Sequence, residues 1–277
     1  MSLLHTAPLL LIGVALALGL FLAEELGHRC HAMFGRKGGD KIDGDGAGHL
    51  LGAALALLGL LIAFTFSMAA SRYDARRSLV VDEANALSTT YLRIQTLDEP
   101  LKGRLSALVL DYGEVRRAFF AVGDDAARLA AVDQKTDALQ ARIWADTVAA
   151  VRAAPAATVN PALLQTVNET FDLATSRRAA LDARVPAAIL RSLVIYALVA
   201  AGMLGYVLAA NGRRHVVAST ALFVLIAVAI TLILDLDRSR SGTVTVSQAP
   251  LTRTLDSLRS LEAAKTHVGA SAVPETP

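Results

Sequence analysis

The chain holds one cysteine, Cys30, so no intramolecular disulfide can form and the redox compartment is left open. Aromatic residues are scarce, at 5% of the chain, although 54% of it is hydrophobic. A soluble domain of 277 residues rarely combines those two figures with a mean hydropathy of +0.47. The net charge of +2 is too small for a nucleic-acid binder. No internal repeat in the solenoid range is visible. No nucleophile elbow, phosphate loop or zinc-ligand pattern accompanies the acidic residues, which argues against an enzyme and against a bound cofactor or metal.

Charge itself is missing from four stretches. Residues 3–23 are apolar apart from His5 and Thr6, and residues 50–70, 192–210 and 216–234 carry no charge. About 20 residues at ~1.5 Å each match a hydrocarbon core of ~30 Å, so each reads as a transmembrane helix. The first is not a cleaved signal peptide on this reading. It has no Lys or Arg before its apolar run, and Ala23-Glu24-Glu25 is a poor cleavage context.

Orientation follows from the short loops. The first, residues 24–49, carries Arg29, Arg36, Lys37 and Lys41, and the second, residues 211–215, carries Arg213 and Arg214. Short basic loops stay in the cytoplasm, whereas long domains translocate largely regardless of charge. This puts both termini and the central domain on the outer side of a bacterial inner membrane. Arg72, Arg76 and Arg77, just after span two, work against that bias.

The central stretch, residues 71–191, lacks strand alternation and reads as helix with breaks. No Gly or Pro occurs between Gly59 and Pro100, so span two is expected to continue unbroken into a water-exposed domain. Val80, Ala84, Leu87, Tyr91 and Ile94 give it a core stripe. Asp98-Glu99-Pro100 marks a stop and a capped restart, Gly123-Asp124 a turn, and Pro155 a break. Asn160-Pro161 is a start signal, with Asn160 accepting from the first free amides. Leu164, Val167, Phe171 and Ala174 line the next helix, and Pro186 separates it from span three. Four helices with short turns predict an antiparallel bundle. Beyond span four, Thr243-Val244-Thr245-Val246 reads as extended, Leu251, Leu255, Leu258 and Leu261 as an amphipathic helix, and residues 269–277 as disordered. The expected class is therefore an all-α membrane protein: four transmembrane helices with an inserted antiparallel helical bundle. The expected domains are 1–70, 71–191, 192–240 and 241–277.

Four groups of residues are candidates for function. His28-Arg29-Cys30-His31 offers too few well-spaced ligands for a metal and reads as solvated loop. Glu83, Asn85, Asn168, Glu169 and Asp172 could form a polar network inside the bundle. Glu169 and Asp172 share a helical face, although solvated surface is the blander account. Gly48, Gly52 and Ala56 in span two, and Ala201, Gly205 and Ala209 in span three, let helix backbones approach, within one subunit or between subunits. Finally, Arg72, Asp74, Arg76, Arg77, Arg191, Asp235, Asp237, Arg238 and Arg240 gather where three spans end on one side. They read either as interfacial anchors or as a positive vestibule at a pore mouth. No ionisable group lies within spans two to four, where ion-coupled transporters usually carry one.

Three runs of residues carry a family resemblance. Arg72-Tyr73-Asp74-Ala75-Arg76-Arg77, Asp82-Glu83-Ala84-Asn85-Ala86 and Tyr91-Leu92-Arg93 form the first. Asn168-Glu169 through Arg177 forms the second. Asp235-Leu236-Asp237-Arg238-Ser239-Arg240-Ser241-Gly242, with Val246-Ser247-Gln248, forms the third. Together they resemble the bacterial bestrophin-like domain family, with departures at Ser88 and Ser239. The resemblance implies multi-span proteins related to anion channels that assemble as pentamers. The expected function is thus an oligomeric anion or weakly selective ion channel, its partners the lipid bilayer, further copies of the chain and an inorganic anion. The alternative is a membrane-anchored sensor or scaffold whose bundle binds a ligand or a partner protein.

Overall fold

The structure, a computed structural model, describes residues 8–35, 44–123, 125–212, 214–238, 240 and 242–271. Among these residues there are eight α-helices and no strand. They are α1 (Leu9–Cys30), α2 (Gly44–Ile94), α3 (Leu101–Ala121), α4 (Ala126–Ala153), α5 (Asn160–Asp182), α6 (Ala187–Ala210), α7 (Val216–Asp237) and α8 (Ala249–Ser271). Among the described residues, four apolar helical runs are long enough to cross a membrane. The chain divides into two compact units, one of residues 1–73 and 184–244, the other of residues 74–183 and 245–277.

The first unit holds the apolar helices. Its core is built from Leu16 and Leu20 of α1, Leu58 and Ala69 of α2, Leu193 and Ala197 of α6, and Phe223, Ile230 and Ile233 of α7. Phe21 and Phe223 meet edge to face at 5.2 Å. The N-terminal part of the first predicted span, residues 3–7, lies outside the described residues, as do Arg36, Lys37 and Lys41 of the predicted first loop. That loop is shorter than expected. α1 runs on to Cys30 and a π turn follows at His31–Gly35. Two contacts explain the extension. Arg29 Nε donates to Glu25 Oε1 one turn back at 3.0 Å. Gly27 lies so close to α6 that an added Cβ would sit 1.9 Å from the Gly202 carbonyl oxygen. His28, Arg29, Cys30 and His31 are therefore helical, not loop.

The second unit is the helical bundle. The predicted stripe of α2 is its spine: Val80, Ala84, Leu87, Tyr91 and Ile94 are all buried. α2 is one uninterrupted helix of 51 residues. It ends before Pro100, and α3 restarts with Glu99 Oε2 accepting from Gly103 N at 3.1 Å. Gly123 adopts φ +67°, which favours glycine, at the α3–α4 turn. Asp125 then caps α4, accepting from Ala127 N and Arg128 N. Asp124 lies outside the described residues.

Several expectations need correction. Asn160 does not accept from the first amides of α5. Its side chain donates back to the Ala154 carbonyl at 2.8 Å, tying down the preceding turn. The buried stripe of α5 runs through Leu163, Thr166, Val167, Thr170, Ala174 and Arg177, leaving Leu164 and Phe171 half-buried at its edge. The C-terminal segment is not a separate domain. Leu251, Leu255 and Leu258 of α8 are buried in the bundle unit, Leu255 against Gly113, where an added Cβ would meet its Cδ2 at 2.4 Å. Leu261 stays exposed. The helix persists to Ser271, past the predicted onset of disorder at 269, and residues 272–277 lie outside the described residues.

Candidate functional site

Three helical stripes bring charge into the bundle core. On α3 the buried positions Leu105, Val109, Tyr112, Arg116 and Phe119 recur at helical spacing, so Arg116 is forced inward. By the same spacing Arg177 closes the stripe of α5, and Glu83 falls on the stripe of α2. The three meet. Arg116 Nε donates to Glu83 Oε1 at 2.5 Å, and Arg177 Nη1 donates to Glu83 Oε2. Arg177 Nη2 reaches Gln248 Oε1 just before α8. The three charged side chains are at most 3% exposed. The Arg116 guanidinium also stacks over the Phe119 ring at 4.7 Å.

Each of the three resembling runs supplies one member of this centre: Glu83 the first, Arg177 the second, Gln248 the third. Arg116 belongs to none of them. Its only sequence signal is a charged residue on an otherwise apolar helical stripe. One carboxylate against two guanidiniums leaves the centre with a formal charge of +1. Burying such a set is costly, and excellent geometry with hydrogen-bonded partners is what offsets the cost.

A neutral polar seam lies in the same core. Thr90 Oγ1 sits 3.1 Å from Thr166 Oγ1 and 2.9 Å from Thr170 Oγ1. Gln140 donates to the Tyr112 hydroxyl at 3.3 Å. Burial pushes the Tyr112 phenol up to about 12, so it stays neutral across the physiological range.

The expected network of Glu83 with Asn85, Asn168, Glu169 and Asp172 does not form as a unit. Only Glu83 is buried, and the other four are exposed. Asn168, Glu169 and Asp172 line a shallow open groove along α5. The reason is register: Asn168, Glu169 and Asp172 lie opposite the α5 stripe that carries Val167, Ala174 and Arg177.

The nine charged residues at the span ends divide by burial. In the membrane unit, Asp235 is the hub of a closed turn. Its Oδ1 accepts from Thr243 N at 2.6 Å, and its Oδ2 accepts from Val244 N at 3.2 Å and from the Thr243 hydroxyl. Asp237 Oδ1 accepts from Val185 N at 2.9 Å. Gly242 is required there, because an added Cβ would lie 2.2 Å from Asp235 Oδ1. Arg238 is buried and Arg240 half-buried, while Ser239 and Ser241 lie outside the described residues. Arg72 Nη1 donates to the Arg184 carbonyl at 2.8 Å, and Arg191 is exposed. In the bundle unit, Arg76 is buried and donates to the carbonyls of Ala180 at 2.9 Å and Ala183 at 2.7 Å. It thereby caps the C-terminal end of α5, where a cation also opposes the helix dipole. Asp74 and Arg77 are exposed. Much of the expected open rim is therefore spent on holding turns and helix ends.

The small residues also separate. Ala201 and Gly205 of α6 face α1, and an added Cβ at Gly205 would lie 1.9 Å from the Glu24 carbonyl oxygen. Ala209 is half-buried. This face packs within the chain. Gly48, Gly52 and Ala56 of α2 are exposed, and an added Cβ at either glycine would meet nothing within 4 Å. They share one side of α2 with Ala63, flanked by exposed Leu57, Leu60 and Phe64, while Leu51, Leu58, Thr65 and Ala69 occupy the buried side.

Chemically, the carboxylates of Glu83, Asp235 and Asp237 are engaged in ion pairs and hydrogen bonds within the fold. Among the described residues no group of three His, Cys, Asp or Glu side chains could hold a metal ion. A family model described as Bestrophin-like domain matches residues 9–251. Two solved structures of a bacterial Bestrophin homolog from Klebsiella pneumoniae share the fold. The first, with a tryptophan changed to alanine, has a TM-score of 0.65 and 13% identity over 91% of this chain and 96% of that one. The second, with an isoleucine changed to threonine, has a TM-score of 0.63 and 14% identity over 88% and 95%. No protein of curated function matches the sequence.

Proposed function

The chain belongs to the Bestrophin-like domain family, and on that membership we propose that it is an oligomeric ion channel of the bacterial inner membrane, anion-selective or weakly selective. The family name implies kinship with anion channels, and the bare side of α2 is the observation that carries the reading furthest. A membrane helix with one side buried in its own chain and the other lined by Gly48, Gly52, Ala56 and Ala63 has a surface suited to close approach by further copies. Copies arranged around such helices enclose a pore whose wall is apolar and uncharged, and in such pores a narrow apolar stretch gates by dewetting. Exposed Arg77 and Arg191 add positive charge that concentrates anions.

The alternative reading, a membrane-anchored sensor or scaffold whose bundle binds a ligand or a partner protein, is favoured by the unbroken course of α2 from Gly44 to Ile94. Reconstitution of the purified chain in liposomes separates the two. A channel releases trapped chloride or a larger anion down its gradient. Absence of flux for every ion and condition tried leaves the sensor or scaffold reading.

A further inference from the structure

At one end of the membrane unit, α1, the end of α6 and the start of α7 line an open cavity of about 190 Å³ with both polar and apolar walls. Glu24, Glu25 and His28 enter it from α1, Arg214 and His215 from the α6–α7 connection, and Ser219 from α7. Among the described residues, the ion pair these groups make with each other is a long one. Arg214 approaches Glu25 only at 3.7 Å, and Glu25 is otherwise paired with Arg29. Among the described residues, the side chains of Glu24, His28 and His215 form no hydrogen bond or ion pair.

The surroundings are apolar and bare. Leu18 and Leu22 share the α1 face of Glu25, seven and three residues before it, and both are exposed. Val216 and Val217 are exposed at the start of α7. A site with both signs of charge, opening beside uncovered hydrocarbon on a membrane-spanning unit, suits an amphiphile better than a free solute.

We propose that this cavity holds the headgroup of a phospholipid bearing a primary amine, of the phosphoethanolamine type. The ammonium sits between the Glu24 and Glu25 carboxylates, which accept its three N–H donors. The phosphate faces Arg214 and the His28 and His215 imidazoles, where the first amides of α7 also favour an anion. The acyl chains lie along Leu18, Leu22 and Val217. A choline headgroup lacks the N–H donors, and a glycerol headgroup offers no cation to the two carboxylates.

The test uses the full chain, purified in detergent and supplied with phosphatidylethanolamine, phosphatidylcholine or phosphatidylglycerol of identical tails. Retained lipid is read by native mass spectrometry and protection by the melting temperature. The ethanolamine lipid is expected to be retained preferentially and to raise the melting temperature most. Glu24→Gln is expected to weaken that retention about three- to fivefold and leave the other two lipids unaffected, whereas Arg214→Gln, which removes a partner of the phosphate common to all three, is expected to weaken it by a similar factor without that selectivity. Neither side chain is buried, so the lipid-free variants should melt with the wild type, which confirms that the fold is intact. Equal retention of the three lipids, or an ethanolamine preference untouched by Glu24→Gln, overturns the proposal. Full protection by free O-phosphoethanolamine at the same concentration overturns the lipid assignment and makes the ligand a soluble one.

Discussion

Arg177 and Glu83 stand 94 residues apart in the chain and form an ion pair in which neither side chain is more than 3% exposed. Arg116 completes the pair from the other side of the carboxylate. Glu83→Gln keeps the shape and removes the charge that two guanidiniums share. Breaking a buried pair this way costs about 3–5 kcal/mol, because the partners stay buried without compensation. The bundle is therefore expected to melt or be cleaved by protease under much milder conditions than the wild type. A loss below about 1 kcal/mol would show that the centre contributes little to stability.

Two glycines on different spans should respond in opposite ways. Gly205→Leu drives a side chain into the Glu24 backbone and should destabilise the single chain by at least 1–3 kcal/mol, about the cost of overpacking. Gly52→Leu meets nothing within its own chain and should leave the melting of the protomer unchanged. If α2 contacts further copies, it should instead convert detergent-stable oligomers to monomers, as read by light scattering. Oligomers of unchanged mass would remove α2 from the interface.

Neighbouring arginines also differ. Arg77 is exposed, so Arg77→Glu should insert and fold normally while lowering anion flux in liposomes, most at low ionic strength where screening is weakest. Arg76→Glu sets a carboxylate against the carbonyls of Ala180 and Ala183 and should lower bundle stability by a few kcal/mol. Equal melting losses in the two variants would contradict this division.

Four spans return the chain to its starting side. Reporter fusions at Gly123 and at the C-terminus should thus agree with each other and oppose a fusion at Asn211. From the lysines and arginines of the two short loops, the fusions at Asn211 and Gly39 are expected to report cytoplasm and the one at Gly123 the outer side. Arg238, Arg240 and Arg253, beyond span four, pull the other way. A cytoplasmic reading at Gly123 would invert the molecule and leave the four spans intact.

What could be read from the sequence was local. Runs of about 20 residues without charge mark the spans, because the bilayer core is costly for ions whatever the neighbours are. The absence of Gly and Pro between Gly59 and Pro100 predicts the unbroken α2, and Val80, Ala84, Leu87, Tyr91 and Ile94 predict its core stripe, since helical period alone decides which residues share a face. Tertiary structure decided what each face meets. Gly52 and Gly205 both sit on small-residue faces, yet only Gly205 has a backbone against it, because α1 packs there. Glu83 and Glu169 are both acids on bundle helices, and Glu83 is buried because Arg116 and Arg177 arrive from two other helices to neutralise it. A carboxylate enters a core only where such partners exist, and those partners lie 33 and 94 residues away along the chain.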